Sequence, residues 1–295
     1  MKKKNRITQI IIHIFLILAC AVTIYPLLLC LGVSFTDERE VMNDGYKLIP
    51  HTFSIASYRY VFSAPKRIIN AYKVTAFYSI VQTLLMLFFN SLMAYPLSRR
   101  NFRFRNKLNF YLYFTCLFSG GAVPVYILNT RYLHLNDTIW IYIIPGLVGA
   151  WTIFYIRTSF QAVPEEIVES AVMDGASEFR ILLTFMMPLS KPVLATMALG
   201  SFLGNWNGWY TSLLYINKRS DLASLNFLLQ EILMKITALT KLEETGRGQM
   251  VDITSIPSET VRMAMLFVVA GPALVVFPFF QKYFVKGMIV GSVKG

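Results

Sequence analysis

The apolar positions of this chain neither alternate nor keep to one helical face; they run together. Six runs, at residues 7–35, 71–97, 108–129, 138–160, 188–216 and 261–284, are almost free of charge. A helix rises 1.5 Å per residue, so about 20 apolar residues cross about 30 Å of hydrocarbon. Each run reaches that length. Apolar residues all round a helix of this size mark a membrane span rather than the single buried stripe of a soluble core helix. The pattern predicts an all-α, polytopic membrane protein of six transmembrane helices, forming one domain over residues 1–295.

The polar segments between the runs set the orientation. Lys2, Lys3, Lys4 and Arg6 precede the first run, and SRRNFRFRNK between the second and third carries Arg99, Arg100, Arg103, Arg105 and Lys107. Basic residues in short loops stay on the cytoplasmic side. Six spans put these two segments on one face, with the connection between runs four and five and the tail bearing Lys282, Lys286 and Lys294. Both termini are thus expected to be cytoplasmic. The opposite segment 36–67 is mixed, with Asp37, Glu38, Glu40 and Asp44 beside five basic residues. Lysines before an apolar run also open secretory leaders. This run is longer than a leader's apolar core and no A-x-A-like site follows it, so an uncleaved first helix is predicted.

Composition agrees with the pattern. Charged residues make up 15% of the chain, against roughly 25% in soluble domains. The net charge of +12 would suit nucleic acid, but the positive residues sit in short clusters beside apolar runs, where they set topology. Nucleic acid is not an expected partner. Cys20, Cys30 and Cys116 lie inside apolar runs without C-x-x-C spacing, and His13, His51 and His134 are scattered. Neither a disulfide framework nor a metal site is indicated. There is no phosphate-binding G-x-x-x-x-G-K-[ST] loop and no nucleophile constellation, so no catalytic residues are assigned. The runs also lack Asp and Glu, which disfavours proton- or ion-coupled transport.

Three further features carry information. Pro26, Pro124, Pro145, Pro272 and Pro278 interrupt spans, and the carbonyls they free need neighbours or cavity water. Kinked helices suit a pathway lining and are also common in membrane helices of no special role. In the outer segment 217–260, Leu222, Leu225, Leu229, Ile232, Leu233 and Ile236 recur near one face, predicting an amphipathic helix against the membrane surface or a partner. Gln82 and Asn90 in the second run read as interhelical hydrogen-bond partners.

The connection VPEEIVESAVMDGASEFRILLTFMMPLSKP, spanning 163–187 and the start of run five, is the most specific segment. Pro164 fixes a helix start, and Glu165 and Glu166 suit its positive end. Gly175 permits the left-handed turn that ends a helix. A second short helix then leads to Pro188 and Pro192. The result is a helix–glycine–helix elbow with small residues, Ser170, Ala171, Gly175 and Ala176, at its bend, where another backbone can approach closely. An ordinary amphipathic loop helix fits the same pattern.

Glu169-Ser170-Ala171, Asp174-Gly175-Ala176 and Pro188, thirteen residues after the glycine, together resemble the EAA–G loop of ABC importer permeases. The family pattern is roughly E-A-A-x-x-D-G-A followed by I-x-L-P; this chain has Ser170, Phe185 and Met187 at three of its positions. NWNGW at 205–209 is similar to a segment in the fifth span of carbohydrate importers. The ending FPFFQKYFVKGMIVGSVKG resembles the maltose-type second permease subunit, nearest the branch serving complex, including uronate-containing, oligosaccharides. The likeness covers essentially the whole chain.

What the resemblance implies is an assembly in the cytoplasmic (inner) membrane of a bacterium. This permease and a second, different one form the path, among membrane lipids. Two ATP-binding subunits hold the elbows, with ATP and Mg on them rather than on this chain. An extracytoplasmic solute-binding protein delivers a sugar or oligosaccharide. Glu169, Ser170, Ala171, Asp174, Gly175, Ala176 and Pro188 would then form the ATPase-coupling site, and this chain would not itself be an enzyme. The tail 292–295 would reach toward the ATPase interface. Asn205, Trp206, Asn207, Trp209 and Tyr210 are candidates for the substrate path, since aromatic faces and amides recognise sugars; Trp and Tyr also gather at membrane interfaces to anchor helices. An ABC permease for a non-sugar solute such as a peptide, phosphate or a metal complex, and a membrane enzyme or scaffold, are the alternatives.

Overall fold

A computed structural model describes residues 6–244 and 258–292. The helices are α1 (Arg6–Ser34), α2 (Glu38–Asp44), α3 (Ala56–Val61), α4 (Pro65–Ser98), α5 (Arg105–Leu117), α6 (Ala122–Ile127) and α7 (Ala150–Gln161). There follow α8 (Glu165–Met173), α9 (Glu178–Ile181), α10 (Met187–Leu189), α11 (Lys191–Trp206), α12 (Tyr210–Tyr215), α13 (Leu225–Glu244) and α14 (Ser258–Ser292). Short 3₁₀ and π turns complete the order, and among the described residues there is no β-strand.

Three helices are long and apolar enough to cross a membrane unaided, at Thr8–Ser34, Pro65–Ser98 and Ser258–Pro278. The other three apolar runs are bent pairs. Arg105–Leu117 meets Ala122–Tyr132 at 109°, Ile139–Gly146 meets Ala150–Gln161 at 51°, and Glu178–Leu189 meets Lys191–Trp206 at 83°. A hydropathy window averages across such breaks, so the sequence reads each run as continuous. Local chemistry places them. Gly121 stands at φ +87° in the first, Gly146 and Gly149 frame the second, and Ser190 lies between Pro188 and Pro192 in the third. Run five breaks again at residues 207–209, between α11 and α12.

The chain divides into two compact units, residues 1–66 with 229–271 and residues 67–228 with 272–295. In the first, Gly32 at the end of α1 passes against the backbone at Leu48, whose carbonyl oxygen would lie 2.2 Å from any Cβ. Glycine is required there by close approach. Thr36 and Phe53 form an isolated antiparallel bridge, over which Phe35 stacks on Phe53 with centroids 5.4 Å apart. None of the apolar window of α1 is buried by the rest of the chain.

Glu38, in the first turn of α2, reaches the start of α14 and receives five hydrogen bonds. The N–H groups of Ser258 (3.0 Å), Glu259 (2.9 Å) and Thr260 (3.0 Å) donate to its carboxylate, as do the hydroxyls of Ser258 (3.0 Å) and Thr260 (2.6 Å). These N–H groups have no partner inside their own helix, and a negative charge complements the helix's positive end. Burial pushes the Glu38 carboxyl up, but the hydrogen bonds from Thr260, Glu259 and Ser258 outweigh it and hold the group below its ordinary value. A lowered folded-state value contributes stability above the unfolded one, and that stability is lost as pH falls through the folded value. Glu38→Gln is therefore expected to cost about 1 kcal/mol, toward the low end for charged hydrogen bonds because the site is half open to water. Thermal unfolding in detergent checks it: the wild type should lose its advantage over the variant as the pH drops below about 4.

In the second unit α4 is the mast. Thr75, Ser79, Gln82, Met86, Asn90 and Ala94 are buried at steps of three and four residues, one face of the helix. Gln82 and Asn90 are interhelical partners, as the sequence suggests. The Gln82 amide donates to the Gly146 carbonyl (2.7 Å). The Asn90 amide donates to the carbonyls of Met86 (2.6 Å) and Leu147 (2.8 Å), and its oxygen accepts the Gly149 N–H (3.0 Å). Both residues thus serve the backbone left open by the break before α7, as a break at membrane depth demands.

The amphipathic helix expected within residues 217–260 is α13. Leu225 and Leu229 are buried, as is Leu222 in the turn before it, with Leu228 beside them. The helix is seated on its own chain through the Leu225 N–H, which donates to the Thr75 hydroxyl at 2.9 Å. Ile232 and Leu233 are half-buried; the side chain of Ile236 and residues 293–295 of the tail lie outside the described residues.

Candidate functional site

The elbow follows from local chemistry. After α7, Pro164 caps α8 with an extended ψ of 136°, and Glu165 and Glu166 occupy the first turn, where negative side chains complement the helix dipole. At the other end the Ala176 N–H bonds to the Ala171 carbonyl (3.0 Å) and the Gly175 N–H to that of Val172 (2.9 Å), with Gly175 at φ +76°. This pair of bonds is the Schellman closure. Ser177 then caps α9 by accepting the Arg180 N–H at 3.3 Å.

One face of α8 is an anchor and the other is free. Val168 and Ala171, three residues apart, are buried in a cluster with Ala94, Leu97, Ile153, Ile156, Phe160, Ile181 and Leu182. Ala176 packs against the same cluster. Glu165, Glu166, Glu169, Ser170, Val172, Met173 and Asp174 face outward, and Met173 is 87% exposed. The small residues at the bend therefore divide. Ala171 and Ala176 bring α8 close to the helices of this chain, while Ser170 and Gly175 lie on the open side. Pro188 is half-buried in α10, one residue before the 83° bend.

A link the sequence did not suggest ties the elbow to α4. The Tyr95 hydroxyl donates to the Glu178 carboxylate just beyond Gly175. Tyr95, Arg99, Phe102, Glu178, Phe179 and Leu182 line a cavity of about 570 Å³ there. Eighty-three residues separate the partners, so no local pattern could have announced the pair.

The second candidate set lies around the break after α11. The Asn205 amide donates to Gln82 Oε1 (2.5 Å) and its carbonyl accepts the Tyr78 hydroxyl (3.0 Å), while Ser201 Oγ also donates to Gln82 (2.8 Å). Trp206 is buried between Phe202, at 5.8 Å, and Tyr72, at 6.3 Å between centroids. These two residues hold α11 to α4. Asn207 and Tyr210 are exposed and Trp209 is half-buried, edge-on to Tyr210 at 5.9 Å. The carbonyls freed at the break are not left open: Asn226 donates to Asn207 O (2.8 Å) and Ser224 to Gly208 O (2.9 Å). The five positions are thus brought to one place, with three of them accessible.

Comparison with known proteins fits this architecture. Residues 3–290 match the family described as binding-protein-dependent transport system inner membrane component. The chain is 38% identical to Protein LplC of Bacillus subtilis, over 99% of this chain and 97% of that protein. It is 35% identical to the B. subtilis polygalacturonan/rhamnogalacturonan transport system permease protein YtcP, over 99% of this chain and all of that one. A crystal structure of a bacterial ABC transporter involved in the import of the acidic polysaccharide alginate superposes with a TM-score of 0.77 at 28% identity, covering 96% of this chain and 99% of that one. With the match running through almost every residue, the chain belongs to the family of binding-protein-dependent transport system inner membrane components.

Proposed function

We propose that this chain is a permease subunit of an ATP-binding-cassette importer for a sugar or oligosaccharide, and that the elbow is the point where ATP hydrolysis on separate subunits reaches it. The observation that carries the reading is the two-sided build of α8. Val168 and Ala171 bury one face, while Glu169, Ser170, Val172 and Met173 stand free on the other. An element that transmits motion needs both faces: a rigid seat on what it moves and an open surface for what moves it. Glu169, Ser170, Asp174 and Gly175 form the docking side. Ala171, Ala176 and Pro188 set the elbow against the spans. The ATPase must grip it differently in its two states, because equal contacts in both would shift nothing.

The cargo reading rests on relatives that carry polygalacturonan, rhamnogalacturonan or alginate in their descriptions. Asn207, Trp209 and Tyr210 present amide and aromatic surface that a sugar can use, with Asn205 and Trp206 fixing the helix behind them. The three long helices and three bent pairs make six spans, with both termini and the elbow on the basic, cytoplasmic side. ATP and Mg belong to the partner subunits. A second, different permease and an extracytoplasmic solute-binding protein complete the importer.

Affinity purification of the tagged chain from its native membranes in mild detergent, with mass spectrometry of every co-purifying chain, tests this. The expected result is an ATP-binding subunit and a second, different permease. A chain recovered alone, in a detergent that keeps such complexes together, would overturn the reading.

A further inference from the structure

Three arginines, Arg99, Arg100 and Arg105, line one cavity beside the elbow, and a fourth, Arg157, lies on the neighbouring helix outside that lining; none of the four has an ion pair among the described residues. Arg99 and Arg100 follow α4, Arg105 opens α5, and Arg157 lies one turn before the end of α7. Helices α5 and α7 pack on each other, which brings Arg105 near enough for its charge to act on Arg157. Arg157 Nη1 donates to Asn109 Oδ1 at 2.9 Å. The Nε atoms of Arg105 and Arg157 are buried and have no hydrogen-bond partner. Ion pairs among the described residues lie elsewhere. Arg99, Arg100 and Arg105 line a cavity of about 680 Å³ with Gln161, Pro164 and Met186; Glu165 and Glu166 stand on the same cavity's wall without pairing to them.

A buried guanidinium N–H with no acceptor, next to a second positive charge, is costly unless an anion completes it. The planar five-donor fork suits a phosphate diester or a carboxylate. Its surroundings choose between anions. Leu108 and Tyr111 on α5 and Tyr155 on α7 are exposed large apolar side chains on the same two helices. These three lie outside the cavity lining but on the helices that carry Arg105 and Arg157, so an amphiphile can use the arginines and the apolar helix surface together, where a free ion uses the arginines alone.

We propose that Arg105, with Arg99 and Arg100 on the cavity wall and Arg157 beside it on α7, holds the phosphate of an anionic phospholipid headgroup whose acyl chains lie along α5 and α7. The lipid completes the donors that the chain leaves open and seats the base of the elbow. The leaflet, but not the site, rests on the cytoplasmic assignment made above.

The test uses the intact importer complex in mild detergent, exposed to mixed micelles of phosphatidylglycerol or phosphatidylcholine, washed, and read by native mass spectrometry for retained lipid. Wild type is expected to keep phosphatidylglycerol and release phosphatidylcholine. Arg105→Gln and Arg157→Gln should each lower phosphatidylglycerol retention about tenfold. Arg157→Lys, which keeps the charge and loses the fork, should fall between. Arg103→Gln removes the same charge from an exposed guanidinium that sits 6.0 Å from the Phe104 ring centroid and has no buried, partnerless nitrogen, and should match wild type.

Equal retention of both lipids by wild type, or no loss in Arg105→Gln, overturns the proposal. Equal loss in Arg103→Gln would make the effect one of diffuse charge, and displacement by inorganic phosphate would make the site one for a free anion. A variant that keeps its lipid but sheds an ATP-binding subunit would assign the arginines to protein contact. Should Arg157→Gln fail to assemble, Arg105→Gln and the wild-type lipid preference decide. Retention in detergent does not depend on sidedness. A wrong topology would appear separately, in thiol labelling of Arg103→Cys from the outer face.

Discussion

Gly175→Val is expected to lower ATP-driven uptake about tenfold or more while the subunit still enters the membrane and assembles. Gly175 holds φ +76° and its N–H closes the end of α8. Valine in that region costs at least about 1–2 kcal/mol, the penalty for an ordinary L-residue, with its branched Cβ adding to it. The cost falls on the backbone, since a Cβ at this glycine would meet nothing within 4 Å. The elbow therefore relaxes by giving up its closure, which swings Val172, Met173 and Asp174 away from their positions. Val168 and Ala171 keep the buried face in place. Gly175→Asn should retain most uptake, because asparagine tolerates the left-handed region. Uptake of sugar into proteoliposomes and ATPase activity stimulated by the binding protein are the two readouts, and the expected signature is ATP hydrolysis uncoupled from uptake. Unchanged uptake in the valine variant would remove the elbow from the mechanism.

Asn90→Leu is expected to be the most damaging single change in the membrane-embedded part. Leucine matches the space and fits an apolar helix, so a hydropathy argument calls the change an improvement. The structure says otherwise. Asn90 is fully buried and serves the Leu147 carbonyl and the Gly149 N–H at the break before α7. Removing it strands both groups. A fully buried orphan costs about 1–3 kcal/mol, and both groups are only part-buried, so a loss of about 2–4 kcal/mol is expected for the pair, below the ceiling of about 6 kcal/mol. The loss should appear as a marked drop in unfolding temperature in detergent and as poor recovery of the assembled complex. Asn90→Gln, which keeps both functions on a longer arm, should sit between the two. Equal unfolding temperatures for Asn90→Leu and wild type would show that the break finds other partners.

How far the sequence could be read depends on the range of the interaction concerned. The three long apolar helices, the bend of the elbow and its glycine are written locally, by run length, by Pro164 and by Gly175, so they are legible. The assignment of Gln82 and Asn90 to interhelical bonding is legible too, because a lone amide in an apolar run has few other fates. What hydropathy cannot carry is a break inside a run. Residues 118–121, 147–149 and 207–209 are as apolar or small as their neighbours; their glycines permit a break there, and partners from distant segments show that the helix does stop. The two faces of the elbow are hidden for the same reason: Ala171 and Ser170 are both small, and only the cluster around Phe160 and Ile181 distinguishes inside from outside. The Trp-rich segment shows the limit at the candidate path. Asn205 and Trp206 look as apt for a sugar as Asn207 and Trp209 until Gln82 and Phe202 are seen to claim them.

The Gln82 junction has a consequence for how such chains can change over generations. One amide there joins Gly146, Ser201 and Asn205, and a Cβ at 146 would come within 2.7 Å of its nitrogen. A side chain gained at 146 would push the end of Gln82 aside, and the displaced amide would turn its oxygen away from the Ser201 hydroxyl and the Asn205 amide that now donate to it. The four positions are therefore expected to vary as a group, although 119 or more residues separate 201 and 205 from their hub.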